Sequence, residues 1–200
     1  MTANPLAILR HNAQILGWVS HGCPVPPPPA VKRRILAAYQ QKHNLQVFVE
    51  TGTFKGDTLD EMASRVKRAI SIELSDEFHA RARKRFEGRK HIELLHGDSG
   101  DVLPPLVASL REPALFWLDG HYSAGNTAHG IDASPISREL DSILASPVAG
   151  HVVLIDDVDQ FSDQGGYPEI GRLITSLTAH GRFHCRIEAN ILILEPRKAA

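Results

Sequence analysis

The chain has 200 residues, a length typical of a single domain with a sizeable buried core. Its 22 lysines and arginines nearly balance its 23 aspartates and glutamates, so the overall charge does not indicate a nucleic-acid partner. No apolar stretch approaches the roughly 20 residues that a membrane span needs, and no secretory signal is evident. The two cysteines are far apart and form no disulfide framework, so we expect a cytoplasmic protein without a membrane partner.

Residues 1–44 are expected to form a helical prelude to the main domain, which we place at residues 45–200. Pro5 suits the first position of a helix, and apolar spacing predicts a second helix over residues 31–41. The proline-rich stretch 23–29 between them favours extended backbone, as in a linker. Two placements of the prelude remain open, over a bound cofactor or at the interface of a homo-oligomer.

After residue 45, apolar runs alternate with helical patterns, which indicates a parallel sheet with crossover helices. Strands are predicted at residues 46–50, 69–73, 91–95, 114–118 and 151–155, and helices at 57–67, 76–86, 101–110, 134–145 and 168–179. The last two apolar runs, 184–188 and 191–195, are separated by two residues, which predicts a closing hairpin. The expected fold class is α/β, with a Rossmann-like, doubly wound, mostly parallel sheet of about seven strands ending in an antiparallel hairpin.

The most informative segment follows the first predicted strand, where Glu50-Thr51-Gly52-Thr53-Phe54-Lys55-Gly56 leads into a helical pattern. Glycine in such a turn lets the backbone approach a nucleotide-like ligand, because no Cβ holds the ligand away. The spacing departs from the dinucleotide fingerprint G-x-G-x-x-G. The turn favours an adenosine-containing cofactor, although an ordinary strand-to-helix turn has the same signature.

Carboxylates at the ends of the first three strands strengthen this interpretation. They are Glu50, Glu73 and Asp98. Glu73 lies 21 positions beyond Gly52, close to the roughly 20-residue offset at which a carboxylate meets ribose hydroxyls.

In this order, E-T-G-T-F-K-G, I-E and G-D-S resemble the cofactor signature of class I S-adenosylmethionine-dependent methyltransferases. The resemblance covers most of the chain and implies S-adenosylmethionine as the cofactor. It assigns the methionine end to Glu50, Gly52 and Gly56, the ribose hydroxyls to Glu73, and the adenine amine to Asp98 with Ser99 nearby.

Two further strands end in aspartates, with Asp119 after the fourth and Asp156-Asp157 after the fifth. Because the carboxyl ends of the strands line the crevice of an open α/β sheet, these side chains are expected to converge beside the glycine turn. Close carboxylates repel one another unless protons or a cation intervene, and Mg²⁺ is the simplest hard cation for such oxygens. The alternative is that they cap helices or bind loop amides. Asp119, beside the turn, is also expected to contact the cofactor.

The aspartates extend the resemblance to metal-dependent O-methyltransferases of the macrocin O-methyltransferase type. That group has an Asp-Gly segment after strand four and an Asp-Asp pair after strand five, which correspond here to Asp119-Gly120 and Asp156-Asp157. The resemblance implies these three aspartates as metal ligands and a small hydroxylated acceptor, sugar-like or a natural product.

A hydroxyl acceptor must lose a proton, which metal coordination and a nearby base both assist. His121 is the candidate base, since it follows Asp119 by two residues and histidine has an unperturbed pKa of about 6.5. We therefore predict His121 and Asp119 as the catalytic residues, while a loop histidine bonded to backbone is the competing interpretation. The loop 159–166 is expected to lie over the acceptor, with Phe161 as an apolar contact.

Three other functions remain open: a metal-independent methyltransferase, a nicotinamide-dependent oxidoreductase, and a non-catalytic module that binds the cofactor. The absent central glycine of G-x-G-x-x-G and the terminal hairpin argue against the oxidoreductase. The basic residues between Arg81 and Lys90 are interpreted as a solvated helix face, so no nucleic-acid partner is expected.

Overall fold

The computed structural model describes residues 5–119, 135–162 and 168–197, in which one seven-stranded sheet is flanked by helices. The strands are β1 (Val47–Thr51), β2 (Arg68–Glu73), β3 (Ile92–His96), β4 (Ala114–Leu118), β5 (Val152–Ile155), β6 (Phe183–Glu188) and β7 (Ile191–Pro196). The helices are α1 (Pro5–Ser20), α2 (Pro29–His43), α3 (Asp57–Ala63), α4 (Asp76–Arg85), α5 (Ser99–Ser109), α6 (Pro135–Leu144) and α7 (Ile170–Ala179). None of the helices in these ranges has the length and apolarity that crossing a membrane requires.

The strands lie in the order β3-β2-β1-β4-β5-β7-β6. The first five pair in parallel, whereas β7 is antiparallel to both β5 and β6. The turn of the terminal hairpin, Ala189 and Asn190, has positive φ at both positions (48° and 63°), as a two-residue hairpin of type I′ requires. These findings confirm the predicted fold class, including the antiparallel hairpin at the end of a mostly parallel sheet.

The central strands are buried on both faces, which explains why they read as continuous apolar runs. One face packs against α5 and α6, and the other against α2 and α3. Helix α2 buries four apolar residues against this second face: Val31, Ile35, Leu36 and Tyr39. Helix α2 is therefore part of the core, and the division of the chain at residue 44 stays a prediction.

The helix predicted over residues 57–67 ends earlier, at Ala63. The chain reverses there through a turn in which Arg65 N donates to Met62 O at 2.9 Å. Val66 lies beyond the end of the helix, and its side chain is buried from this turn. The reversal is imposed by β2, which must begin at Arg68 to pair in register with β1.

His151, just before β5, is a buried histidine with both ring nitrogens in hydrogen bonds. Its Nδ1 accepts from Ala114 N at 3.0 Å, and its Nε2 lies 3.0 Å from the Ser146 hydroxyl. Because Nδ1 accepts, the ring is neutral and carries its proton on Nε2. Burial, together with the charge of Arg182, lowers the pKa of His151 to about 4.

We expect His151 to make the free energy of unfolding fall as the pH is lowered from about 6.5 to about 4. In that window the unfolded histidine binds a proton and the folded one does not, so acid favours unfolding. His151→Leu should be less stable at neutral pH, because it leaves Ala114 N without its acceptor, and should show a flatter pH dependence. Urea unfolding across this pH range measures both effects, and parallel curves for the two proteins would contradict the assignment.

Candidate active site

The parallel register places the carboxyl ends of β2, β1, β4 and β5 side by side at one edge of the sheet. Backbone bonds continue past the strand ends and fix the residues that follow. Asp119 N donates to Thr51 O at 3.2 Å, and Asp156 N donates to Leu118 O at 3.0 Å. The predicted site residues on neighbouring strands are therefore held in one row, where an open α/β sheet binds its ligands.

The turn after β1 needs glycine at two positions. Gly52 and Gly56 have φ values of 87° and 77°, in the left-handed region that side chains rarely adopt. Gly56 precedes α3, and a Cβ on it would lie 2.8 Å from the Phe86 ring. Gly56 is thus required by the packing beneath the turn as well as by the backbone conformation.

Glu50 lies below this turn and is 1% exposed. Its Oε1 accepts from the Ser71 hydroxyl at 2.7 Å, and the Ser71 and Thr53 hydroxyls lie 2.5 Å apart. Burial, followed by the charges of Asp119 and Glu73, raises the pKa of Glu50 to about 8. Glu50 is therefore mostly protonated at neutral pH, and a positive group bound above it would favour its charged form.

Glu73, the residue predicted to bind the ribose hydroxyls, lies at the end of β2 and is hydrogen-bonded to the loops that follow β1 and β2. Its Oε2 accepts from Phe54 N at 2.8 Å, and its Oε1 accepts from Ser75 N at 2.9 Å. An ionised carboxylate has about four acceptor sites, so these two bonds leave capacity for two hydroxyl donors. The two backbone hydrogen bonds thus fix the orientation of the Glu73 carboxylate.

Asp98 and Ser99 follow β3 and begin α5. Asp98 is the N-cap, since its Oδ1 accepts from Gly100 N at 2.8 Å, and Arg138 Nη2 lies 3.3 Å from the same oxygen. The Ser99 hydroxyl faces the buried carboxyl of Glu139. Capping is thus a structural role for Asp98, and its contact with adenine stays a prediction.

Glu139 on α6 is a buried carboxyl that sequence reasoning missed. It is 1% exposed beside the hydroxyls of Thr51 and Ser99, and burial raises its pKa to about 7. The signal that marks it is its helical phase, because it shares the buried face of α6 with Ile136 and Leu140.

The structure brings the three predicted metal-binding aspartates together. Asp119, Asp156 and Asp157 each offer a carboxylate oxygen, and these oxygens lie within 4.8 Å of one another. Burial, followed by the charge of Asp119, raises the pKa of Asp156 to about 7. Hard oxygen donors gathered this closely fit a divalent cation such as Mg²⁺.

A lysine that sequence reasoning missed contacts the same aspartates. Lys32 Nζ lies 2.6 Å from Asp156 Oδ2 and 3.0 Å from Asp157 Oδ1. It comes from the first turn of α2, 124 positions before Asp156 in the sequence. The sequence held one signal of this position. Lys32 precedes the fully buried Leu36 by four residues, which places both side chains on the same face of the helix.

The terminal hairpin holds the loop that follows the Asp156-Asp157 pair. Val158 N donates to Asn190 O at 3.0 Å, and Asp159 N donates to Asn190 Oδ1 at 3.0 Å. Asn190 Nδ2 in turn donates to Asp159 Oδ1 at 2.7 Å.

Phe161, which we expected to contact the acceptor, is 5% exposed and packs in the core, so that prediction was wrong. Burial of the large apolar ring of Phe161 in the core stabilises the fold more than exposure of the ring on a loop would.

Two predicted features lie outside the described residues. His121, the candidate base, is one of them, and residues 163–166 of the predicted loop over the acceptor are the other. Their roles stay predictions.

No protein-family model matches the chain, and none of the curated proteins compared with it is significantly similar. Solved structures do match it. An O-methyltransferase from Bacillus cereus in complex with SAH has a TM-score of 0.64 and 16% identity, over 92% of this chain and 90% of that one. The O-methyltransferase TomG from Streptomyces achromogenes, which is involved in tomaymycin synthesis and is bound to SAM, has a TM-score of 0.64 and 17% identity, over 94% and 89%. A putative O-methyltransferase from Klebsiella pneumoniae has a TM-score of 0.63 and 16% identity, over 100% and 92%.

These likenesses establish the fold. The chain has the class I S-adenosylmethionine-dependent methyltransferase fold, as the sequence motifs predicted. Because one fold hosts many activities, the activity itself has to be inferred from the site.

A strained backbone conformation typically costs about 1 kcal/mol. Gly56→Ala should lower the free energy of unfolding by more than this, because the Cβ of the alanine would also clash with the Phe86 ring. Gly181→Ala is the matched control. Gly181 has the same φ of 77°, and no heavy atom of the described residues lies within 4 Å of the position that a Cβ would take. Urea unfolding of both variants measures the difference, and equal losses would contradict the packing role of Gly56.

Proposed function

We propose that this protein is an S-adenosylmethionine-dependent O-methyltransferase that acts on a small hydroxylated acceptor with the help of Mg²⁺. The observation that carries this proposal is the close grouping of Asp119, Asp156 and Asp157 at the same sheet edge as the glycine turn. The fold supports the cofactor class, and the gathered carboxylates favour a reaction in which a hydroxyl must be oriented and deprotonated.

The residues around the glycine turn are proposed to bind the cofactor, which supplies a methyl group on a sulfonium. Gly52 permits close approach of the backbone to the cofactor. The Glu73 carboxylate, oriented by two backbone amides, accepts hydrogen bonds from the ribose hydroxyls. Glu50 lies beneath the turn, where a positive group at the methionine end would shift it to its charged form. Transfer from a sulfonium is an in-line displacement, so the main task of these residues is alignment.

The aspartates are proposed to hold the cation that lowers the pKa of the acceptor hydroxyl. Asp119 is bonded through its backbone to β1, so it stands between the cofactor turn and the Asp156-Asp157 pair. His121, two residues beyond Asp119, is proposed to take the proton from the acceptor.

A small acceptor is preferred to a nucleic acid because three of the basic residues of α4 and the loop after it, Arg81, Arg85 and Arg89, are paired with acids. Arg81 lies 2.6 Å from Glu77, and Arg85 lies 2.7 Å from Asp57. Arg89 also contacts Asp60. Charges that are satisfied within the protein contribute less to binding phosphates.

Calorimetric titration with S-adenosylmethionine, in Mg²⁺ and then in EDTA, tests the cofactor, and turnover of hydroxylated acceptors tests the metal. Asp156→Asn should keep the cofactor affinity and lose Mg²⁺-dependent turnover, because it removes a ligand charge. Asp141→Asn, an exposed aspartate on α6, is the control and should change neither. Absence of cofactor binding by the unmodified protein would contradict the methyltransferase assignment, and full turnover in EDTA would favour the metal-independent alternative.

Glu50→Gln tests the buried acid at the turn. Its folded pKa of about 8 exceeds the ordinary value of 4.5, so between these values the folded state retains a proton that the unfolded state releases. The stability of the unmodified protein should therefore fall as the pH rises through this window, whereas the variant should show a flatter curve. It should also bind S-adenosylmethionine more weakly, because Gln offers no negative charge. Urea unfolding below and above the window, with calorimetry, measures both effects, and parallel unfolding curves would contradict the assignment.

A further inference from the structure

Lys32 gives the aspartate centre a cation of its own. We propose that its ammonium competes with the divalent cation for Asp156 and Asp157, so that metal binding requires Lys32 to leave. This inference rests on the metal site in the proposed function and identifies Lys32 as the residue that sets the metal affinity of that site.

The contact distances make simultaneous binding unfavourable. Lys32 Nζ is within 3.0 Å of one oxygen on each of Asp156 and Asp157, which are two of the three candidate ligands. Mg²⁺ binds carboxylate oxygens at about 2.0–2.1 Å, so an ion between these aspartates would lie only a few ångströms from the ammonium. At such a separation, two positive charges in a partly buried site repel strongly.

The position of Lys32 is imposed by the packing of α2. A cation in the first turn of a helix opposes the helix dipole, so Lys32 does not stabilise its own helix there. Helix α2 is held against the sheet by buried residues such as Ile35 and Leu36. The neighbouring Arg33 ties it to Glu61 of α3 at 3.1 Å. These contacts keep α2 in place whether or not Lys32 touches the aspartates.

The two cations differ in what they neutralise. The single charge of Lys32 offsets one of the three carboxylates, whereas a divalent ion offsets two. The lysine side chain has a flexible four-carbon stem, so it can withdraw while the backbone of α2 stays in position. The lysine is therefore expected to occupy the centre at low metal concentration, and the divalent ion to displace it at high concentration.

Titration of the full chain with Mn²⁺ alone tests this inference. The binding is measured by the decrease in the electron paramagnetic resonance signal of the free ion. Lys32→Met keeps an apolar stem of similar length without the charge, and should bind Mn²⁺ about tenfold more tightly or better. Lys32→Arg keeps a cation and should stay close to the unmodified protein. Lys42→Met is the matched control, since Lys42 lies on the same helix and pairs at 2.5 Å with Glu195 instead.

Tighter Mn²⁺ binding by Lys32→Met alone among these variants would support the competition. Equal or weaker binding by Lys32→Met would overturn it and leave the metal site itself standing. Failure of every protein, including the unmodified one, to bind Mn²⁺ would overturn the competition and the metal site together. Binding of S-adenosylmethionine, titrated on the same samples, then decides separately whether the methyltransferase proposal survives.

Discussion

Electrostatic repulsion at the carboxyl edge of the sheet is the constraint on which the site depends. Parallel strands in register end at one edge, and this chain ends four adjacent strands in acids: Glu73, Glu50, Asp119 and Asp156. Two of these side chains, Glu50 and Asp156, are 5% exposed or less. Like charges in so little solvent disfavour the ionised state, so each carboxylate needs a donor, a proton or a cation.

The protein meets this need differently at each position. Glu73 accepts hydrogen bonds from two backbone amides. Glu50 has a pKa raised to about 8 and accepts a hydrogen bond from the Ser71 hydroxyl. At Asp156, the neighbouring amide of Asp157 and the ammonium of Lys32 share the carboxylate. These acids are therefore stabilised by groups of the protein itself, some of which any ligand of the carboxylates would have to replace. Ligand affinity then reports a difference between two sets of partners and not the strength of one set alone.

The features that were predicted correctly are those that a short stretch of sequence determines or that the topology of a parallel sheet imposes. The buried strands β4 and β5 were found because burial on both faces produces a continuous apolar run. The convergence of Asp119 with Asp156 followed from the rule that parallel strands end at one edge.

The features that were missed depend on partners distant in sequence or on competition between burial and exposure. Lys32 meets Asp156 across 124 positions, and its helical phase indicates only that it lies on the buried side of α2, not which residue it contacts. Glu139 was overlooked because a carboxyl on a helix is ordinarily solvated, and only packing against Thr51 and Ser99 buries it. Phe161 was placed on the acceptor because its glycine-containing loop suggested exposure, whereas the core had room for its ring.

The bonds from Asn190 to the backbone of Val158 and Asp159 have a consequence for the order of assembly during synthesis. A chain made from its N-terminus presents β5, whose four residues are all apolar and buried in the finished fold, before β7 exists to cover its open edge. An uncovered apolar edge strand is a template for pairing with other chains. Residues 190–196 therefore do two things at once: they close that edge, and they hold the loop after Asp156 and Asp157, so the aspartate cluster takes its final form only after β7 has been made.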